Sequence, residues 1–112
     1  VTLTVYNTPN FQPFGTLVVA SNSGGSTSGV FTTSKSIMAE SCMVYNSGTS
    51  TSFVTFGDGS ATASVPTTET QNATPVGGGA IMVLKKIKNY NSVAAINGAG
   101  SSTVYFTAGE GQ

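Results

Sequence analysis

The sequence predicts an all-β fold: a single antiparallel β-sandwich, jelly-roll-like, with about eight short strands and no substantial helix. Three observations predict it. Val, Thr and the aromatics crowd into short runs spaced roughly ten residues apart. Clusters of Gly, Ser, Asn and Pro separate those runs. No stretch carries apolar residues at the spacing of an amphipathic helix. Strand order is not readable from one chain, so an immunoglobulin-like Greek key and a small barrel stay open. With no Trp and a single Cys, the Cys…Trp…Cys spacing of immunoglobulin domains is missing.

Taken in order, Thr2 to Tyr6 alternates Thr2, Thr4 and Tyr6 against Leu3 and Val5, the pattern of a half-buried edge strand. Pro9 and Pro13 then stiffen an extended arm that carries Phe11 and Phe14. Gly15 to Ala20 reads as a short apolar strand. Ser21 to Gly29 holds only Ser, Asn, Gly and Thr, which reads as a flexible loop. Ser36 to Tyr45 has Cys42 and Val44 on one face and Met43 and Tyr45 on the other, which predicts a covered central strand. Ser52 to Phe56 is followed by Gly57-Asp58-Gly59-Ser60, a hairpin-turn sequence, with Ala61 to Val65 returning as partner. Pro66 to Gly79 is the longest connection, its three glycines reading as a flexible connector. Ala80 to Ile87 is the most apolar run, with Ile81, Val83 and Ile87 on one face and Met82 and Leu84 on the other. Ser92 to Ile96, the Asn97-Gly98-Ala99-Gly100 turn and Ser102 to Thr107 read as a final hairpin.

These assignments divide the chain into an extended N-terminal strand and arm, residues 1–14, and a sandwich, residues 15–112. The predicted core is Val5, Leu17, Val19, Ile37, Cys42, Val44, Phe53, Ile81, Val83, Ile96, Val104 and Phe106.

Composition narrows function more than it narrows fold. Charged residues make up 7% of the chain, against about 25% in typical domains. Net charge is zero, and His, Trp and Arg are absent. No basic excess is present to neutralise phosphates, which argues against direct nucleic-acid binding. No apolar run reaches the roughly 18 residues of a membrane span. Glu40, Asp58, Glu69 and Glu110 are scattered over the predicted elements, so a glycosidase pair is not indicated. Cys42 has no histidine to activate it and reads as a buried apolar thiol. Neither a catalytic set, a cofactor nor a metal site is expected. Lys85, Lys86 and Lys88 hold three of the four positive charges and read as candidate contacts to an acidic surface. Tyr6, Phe11 and Phe14 are candidate aromatic anchors on the stiff arm.

Three stretches, TLTVYNTPNFQPFGTLVVA, VYNSGTSTSFVTFGDGSATAS and STVYFTAGEGQ, resemble capsid decoration, cement or stapling proteins of short-tailed double-stranded DNA bacteriophages. That resemblance implies a jelly-roll-like domain on the outer capsid surface of the virion. It implies the major capsid protein as partner, together with self-association as a homodimer or homotrimer. The competing expectation is a carbohydrate- or receptor-binding module of a tail or adhesin, weakened by the lack of Trp as a stacking platform.

Overall fold

The computed structural model describes residues 11–68 and 73–110. The edge strand expected at Thr2 to Tyr6, with Val5 and Tyr6, lies outside the described residues, as does Glu69. Among the described residues there are eight strands and one short helix: β1 (Gln12–Asn22), β2 (Thr27–Val30), α1 (Ser34–Met38), β3 (Ser41–Asn46), β4 (Ser52–Gly57), β5 (Thr74–Val76), β6 (Ile81–Lys85), β7 (Ser92–Asn97) and β8 (Ser101–Glu110). They form two four-stranded antiparallel sheets, β1-β8-β3-β6 (sheet A) and β2-β7-β4-β5 (sheet B).

The pairing is nested: β1 with β8, β2 with β7, β3 with β6 and β4 with β5. The contacts β3–β8 and β4–β7 complete the sheets. A long hairpin rolled over on itself in this way is a jelly roll. It corrects the expected final hairpin, because β7 and β8 belong to different sheets and residues 98–100 turn a corner between them. The expected return strand at Ala61 to Val65 is also absent. β4 is already flanked by β7 and β5, so the segment after Gly59 runs instead across the outer face of sheet B. There the Ala61 and Ala63 amides donate to the hydroxyls of Ser92 and Ser26 at 2.8 and 2.9 Å, and both methyls pack on Ala94 and Ile96.

Ser36 to Met38, expected as strand, is helical. Thr33 caps α1, its hydroxyl accepting from the Ser36 amide at 3.4 Å, and this local bond offers the backbone an alternative to a ladder. The small-residue stretch Ser21 to Gly29 is mostly strand, ending β1 and starting β2 around a tight turn at Ser23 to Ser26.

Inward residues of both sheets meet in one core that includes Val19, Cys42, Val44, Val54, Val76, Val93, Val104 and Phe106, with Phe56 edge-on to Phe106. Leu17 and Ile37 pack against it as expected. Phe53, Ile81, Val83 and Ile96 do not belong to this inner layer; in β4 and β6 it is Val54, Phe56, Met82 and Leu84 that point in. These strands carry apolar residues on both faces, so alternation defines two faces without saying which is inner.

The triple-glycine segment is a defined turn. Gly79 takes φ 79°, and its amide donates to the Asn46 carbonyl at 2.8 Å. Gly78 lies against the Thr49 backbone so closely that a Cβ would sit 2.5 Å from the carbonyl carbon. Gly78→Ala is expected to cost about 1–3 kcal/mol, read from the urea midpoint at unchanged slope. An unshifted midpoint would contradict this close approach.

Candidate functional site

Strand direction sorts the charged side chains. β1, β3, β6 and β8 bring Gln12, Ser41, Lys85 and Glu110 to one end of sheet A. β2, β4 and β7 bring Val30, Gly57 and Ser92 to the same end of sheet B. The connections at this pole carry Lys35, Glu40, Asp58, Lys86 and Lys88. All seven charged residues among those described therefore lie at one pole. The opposite pole, built from residues 22–26, 46–52, 76–81 and 97–101, has none.

The three clustered lysines diverge in role. Lys85 is exposed at the end of β6. Lys88 pairs with Glu40 at 3.6 Å. Lys86 is 1% exposed, which removes it from the set of partner contacts. Its ammonium donates to the carbonyls of Ile37 at 2.7 Å and Ala39 at 3.0 Å, closing the C-terminal end of α1. Burial holds its pKa below the ordinary 10.5, with Cys42 and Glu110 opposing the shift. Cys42 is wholly buried, and burial pushes its thiol up to about 12, so it stays protonated and unreactive at neutral pH.

The arm aromatics turn toward their own domain. Phe14 lies within β1, packs against the core and has the Lys35 ammonium 5.7 Å from its ring centroid. Phe11 sets its ring over Gly109, at a distance that leaves no room for a Cβ. Both stay half-buried. Tyr6 lies outside the described residues.

Exposed large apolar side chains fall into two groups. Val30, Met38 and Ile87, at 44, 50 and 57% exposure, stand at the charged pole. Val18 and Tyr45, at 62 and 37%, stand on the outer face of sheet A. There the register aligns Val18, Tyr105, Tyr45 and Ile81 in one row across all four strands. The two tyrosine rings stack at 5.9 Å. A parallel row aligns Thr16, Thr107, Met43 and Val83. Its threonine hydroxyls hydrogen-bond each other at 2.9 Å, which reduces their appetite for water. β3 is thus central, as expected, but among the described residues its outer face is not covered. Sequence reasoning missed this surface by treating Met43 and Tyr45 as evidence of a covering layer.

At the uncharged pole a shallow cleft of about 350 Å³ is lined by Ser21, Asn22, Ser47, Ser101, Ser102 and Thr103, among others. Beneath it lies a buried polar network. Asn97 Oδ1 accepts from Ser21 and Ser52 hydroxyls at 2.7 and 2.6 Å, and its Nδ2 donates to Ser102 at 3.2 Å. Asn46 Nδ2 donates to the carbonyls of Ser50 and Val76 at 2.8 and 2.9 Å.

Among the described residues no group of three or more His, Cys, Asp or Glu is placed to hold a metal ion, and no helix is long and apolar enough to cross a membrane. No family model, curated protein or solved structure matches the chain.

Proposed function

We propose that this chain is a structural virion protein that binds the outer surface of a major capsid protein shell and staples neighbouring capsid subunits. The observation that carries the reading is the charged pole. Val30, Met38 and Ile87 are exposed there among Lys35, Lys85 and Lys88, beside the half-buried Phe14. Apolar anchors ringed by charge are the composition of a protein-docking surface. The resemblance to decoration proteins supplies the partner. Lys85 takes the role of an electrostatic contact with acidic groups of the coat, and binding through this pole weakens as salt rises.

Quantitative mass spectrometry of purified particles from the source tests the proposal. The expected result is a fixed ratio approaching one copy per major coat subunit. A few copies per particle would move the chain to a tail or vertex, and absence from particles would overturn the reading.

The hydroxyl-lined cleft at the neutral pole favours a second reading, a carbohydrate-binding module. Most of its hydroxyls are already engaged: Ser21 and Ser102 in the buried network and Ser47 with the Thr103 carbonyl at 2.9 Å. Binding of the isolated domain to a glycan array would put this reading first.

A further inference from the structure

The sandwich is open along one seam. β6 is an edge of sheet A, and among the described residues no strand flanks it on the side away from β3. The Lys86 amide donates to the Glu40 carbonyl at 2.9 Å, and the Asn46 amide to the Ala80 carbonyl at 3.0 Å. Between those two bonds the register runs from Ser41↔Lys85 to Tyr45↔Ile81, so antiparallel alternation turns the backbone groups of Met82 and Leu84 toward β3. The N–H and C=O groups of Ile81, Val83 and Lys85 therefore point out of the sheet edge. Beside this edge, between β6 and β4, lies a cleft of about 280 Å³ with Val54, Phe56 and Leu84 at its base and Lys85, Ile87 and Tyr90 around it. It falls just short of small-molecule sites, about 300–1,000 Å³, and suits a single side chain of a partner.

Lys85 adds a charge to this edge. It is exposed and makes no ion pair among the described residues. Glu40, which shares a shallow hollow with it, is paired instead to Lys88 at 3.6 Å.

We infer that the β6 edge is a β-augmentation site for an extended acidic segment of a partner protein, which adds as a fifth strand antiparallel to β6. The register defines what that segment carries. Its residue opposite Lys85 lies on the outer face and is a carboxylate, in cross-strand contact with the ammonium. Its next residue, opposite Leu84, faces between the sheets and places a large apolar side chain in the cleft. The third, opposite Val83, returns to the outer face, where a β-branched residue packs best. In chain direction the recognised motif is acidic, apolar, β-branched.

That motif selects the occupant. No carboxylate of this chain precedes an apolar residue: Glu40, Asp58, Glu69 and Glu110 are followed by Ser41, Gly59, Thr70 and Gly111. Residues 1–10 hold no acidic residue. Neither a second copy nor the chain's own N-terminal segment supplies the motif, so the occupant is a different protein. The inference rests on the proposed function only for the source of the segment, a coat subunit met at the charged pole.

Titration of the isotope-labelled full chain with the blocked peptide Thr-Thr-Glu-Leu-Val-Thr, followed by amide NMR shifts, tests it. The expected result is a set of saturable shifts confined to β6, the end of β4 and residues 87–90. Replacing the peptide's Glu by Lys is expected to weaken binding about fivefold. N-methylation of its Glu and Val, whose amides face β6, should abolish binding, and N-methylation of its Leu, whose amide faces away, should not. Lys85→Glu should reverse the preference, the Lys peptide then binding about fivefold more tightly than the Glu peptide. Val83→Pro removes an N–H that β3 does not use, and should abolish binding while melting stays cooperative. Should that variant fail to fold, the Lys85→Glu reversal carries the test.

Absence of saturable binding, indifference to methylation at Glu and Val, or an unchanged preference in Lys85→Glu would overturn the inference. A peptide of residues 1–10 binding more tightly than the acidic one would assign the edge to the chain's own segment and overturn it too. Dimerisation displaced by the acidic peptide would assign the edge to a second copy, with the same consequence. Absence of the chain from purified particles overturns the proposed function and leaves the peptide measurement standing.

Discussion

Asn97→Leu is expected to remove about 3–5 kcal/mol of folding stability, although the new side chain has the same branched arrangement of heavy atoms as the old. Asn97 is 1% exposed and sits between the sheets at the neutral pole. It joins Ser21 of β1 to Ser52 of β4, and through Ser102 reaches the start of β8. Leucine would strip partners from three hydroxyls. Ser21 and Ser52 are themselves within 1% of full burial and have little access to water. Urea unfolding at constant slope is the measurement. A double-mutant cycle with Ser52→Ala should show coupling of about 1–2 kcal/mol. A loss below about 1 kcal/mol would mean that the hydroxyls find each other once the amide is gone.

Lys86→Ala carries the second large effect, a loss of about 3 kcal/mol. It empties the volume of the largest fully buried side chain among the described residues, takes the ammonium donor from the Ala39 carbonyl and leaves the Ile37 carbonyl with the Asn89 amide alone. Lys86→Met keeps the packed stem and discards the buried charge, so its cost should be smaller. The pH dependence distinguishes charge from packing. Between the lowered pKa of Lys86 and 10.5 the folded chain holds fewer protons than the unfolded chain, so this residue's share of stability grows as pH rises. Cys42 acts in the opposite sense. Between 9.0 and about 12 the folded chain keeps a thiol proton that the unfolded chain releases, and stability falls as pH rises. The two contributions oppose each other where these ranges overlap below 10.5, and above 10.5 only the decline from Cys42 continues. Lys86→Met should flatten the rise and Cys42→Ala the decline, each read as the change in urea midpoint with pH relative to wild type. A Lys86→Met protein with the wild-type pH profile would show that the ammonium is not desolvated.

The positions of most strands were legible because β propensity and Gly-Ser-Asn punctuation agree along the chain. Their partnership was not. Asn97-Gly98-Ala99-Gly100 has the composition of a hairpin turn, and local chemistry cannot tell a turn within a sheet from a corner between two. The core of β8 was legible because Val104 and Phe106 alternate with Thr103, Tyr105 and Thr107, whereas in β1 and β3 the inward set Leu17, Val19, Cys42 and Val44 was assigned correctly although Val18 and Met43 between them are also apolar. In β4 and β6 both faces are apolar, and parity was lost at Phe53, Ile81 and Val83. Ser21 was hidden by its composition, since a serine in a Ser-Asn-Gly run looks solvated and is instead bonded to Asn97 from across the core. Lys86 was hidden the same way between two lysines that do face solvent. Of the candidate site, Lys85 and the half-buried Phe11 and Phe14 were visible in the sequence. The exposed row across sheet A was not, because it exists only once four distant strands are placed in register.

The rolled-up pairing also governs when this protein becomes a protein. β8 is the last of the eight strands to be synthesised, yet it occupies an interior place in sheet A, between β1 and β3. Among the described strands it is the only ladder partner of β1. During translation, at about 5–20 residues per second, the earlier strands emerge with that place empty. Sheet A is therefore completed only when β8 emerges; until then β1 lacks its ladder partner among the described strands. Pairings so distant in sequence belong to the slow class of folding reactions, milliseconds to seconds. A prematurely terminated chain lacking β8 keeps of sheet A only the β3–β6 pair and leaves β1 detached, and is a substrate for chaperones and proteases instead of a partial copy competing for the same binding partners.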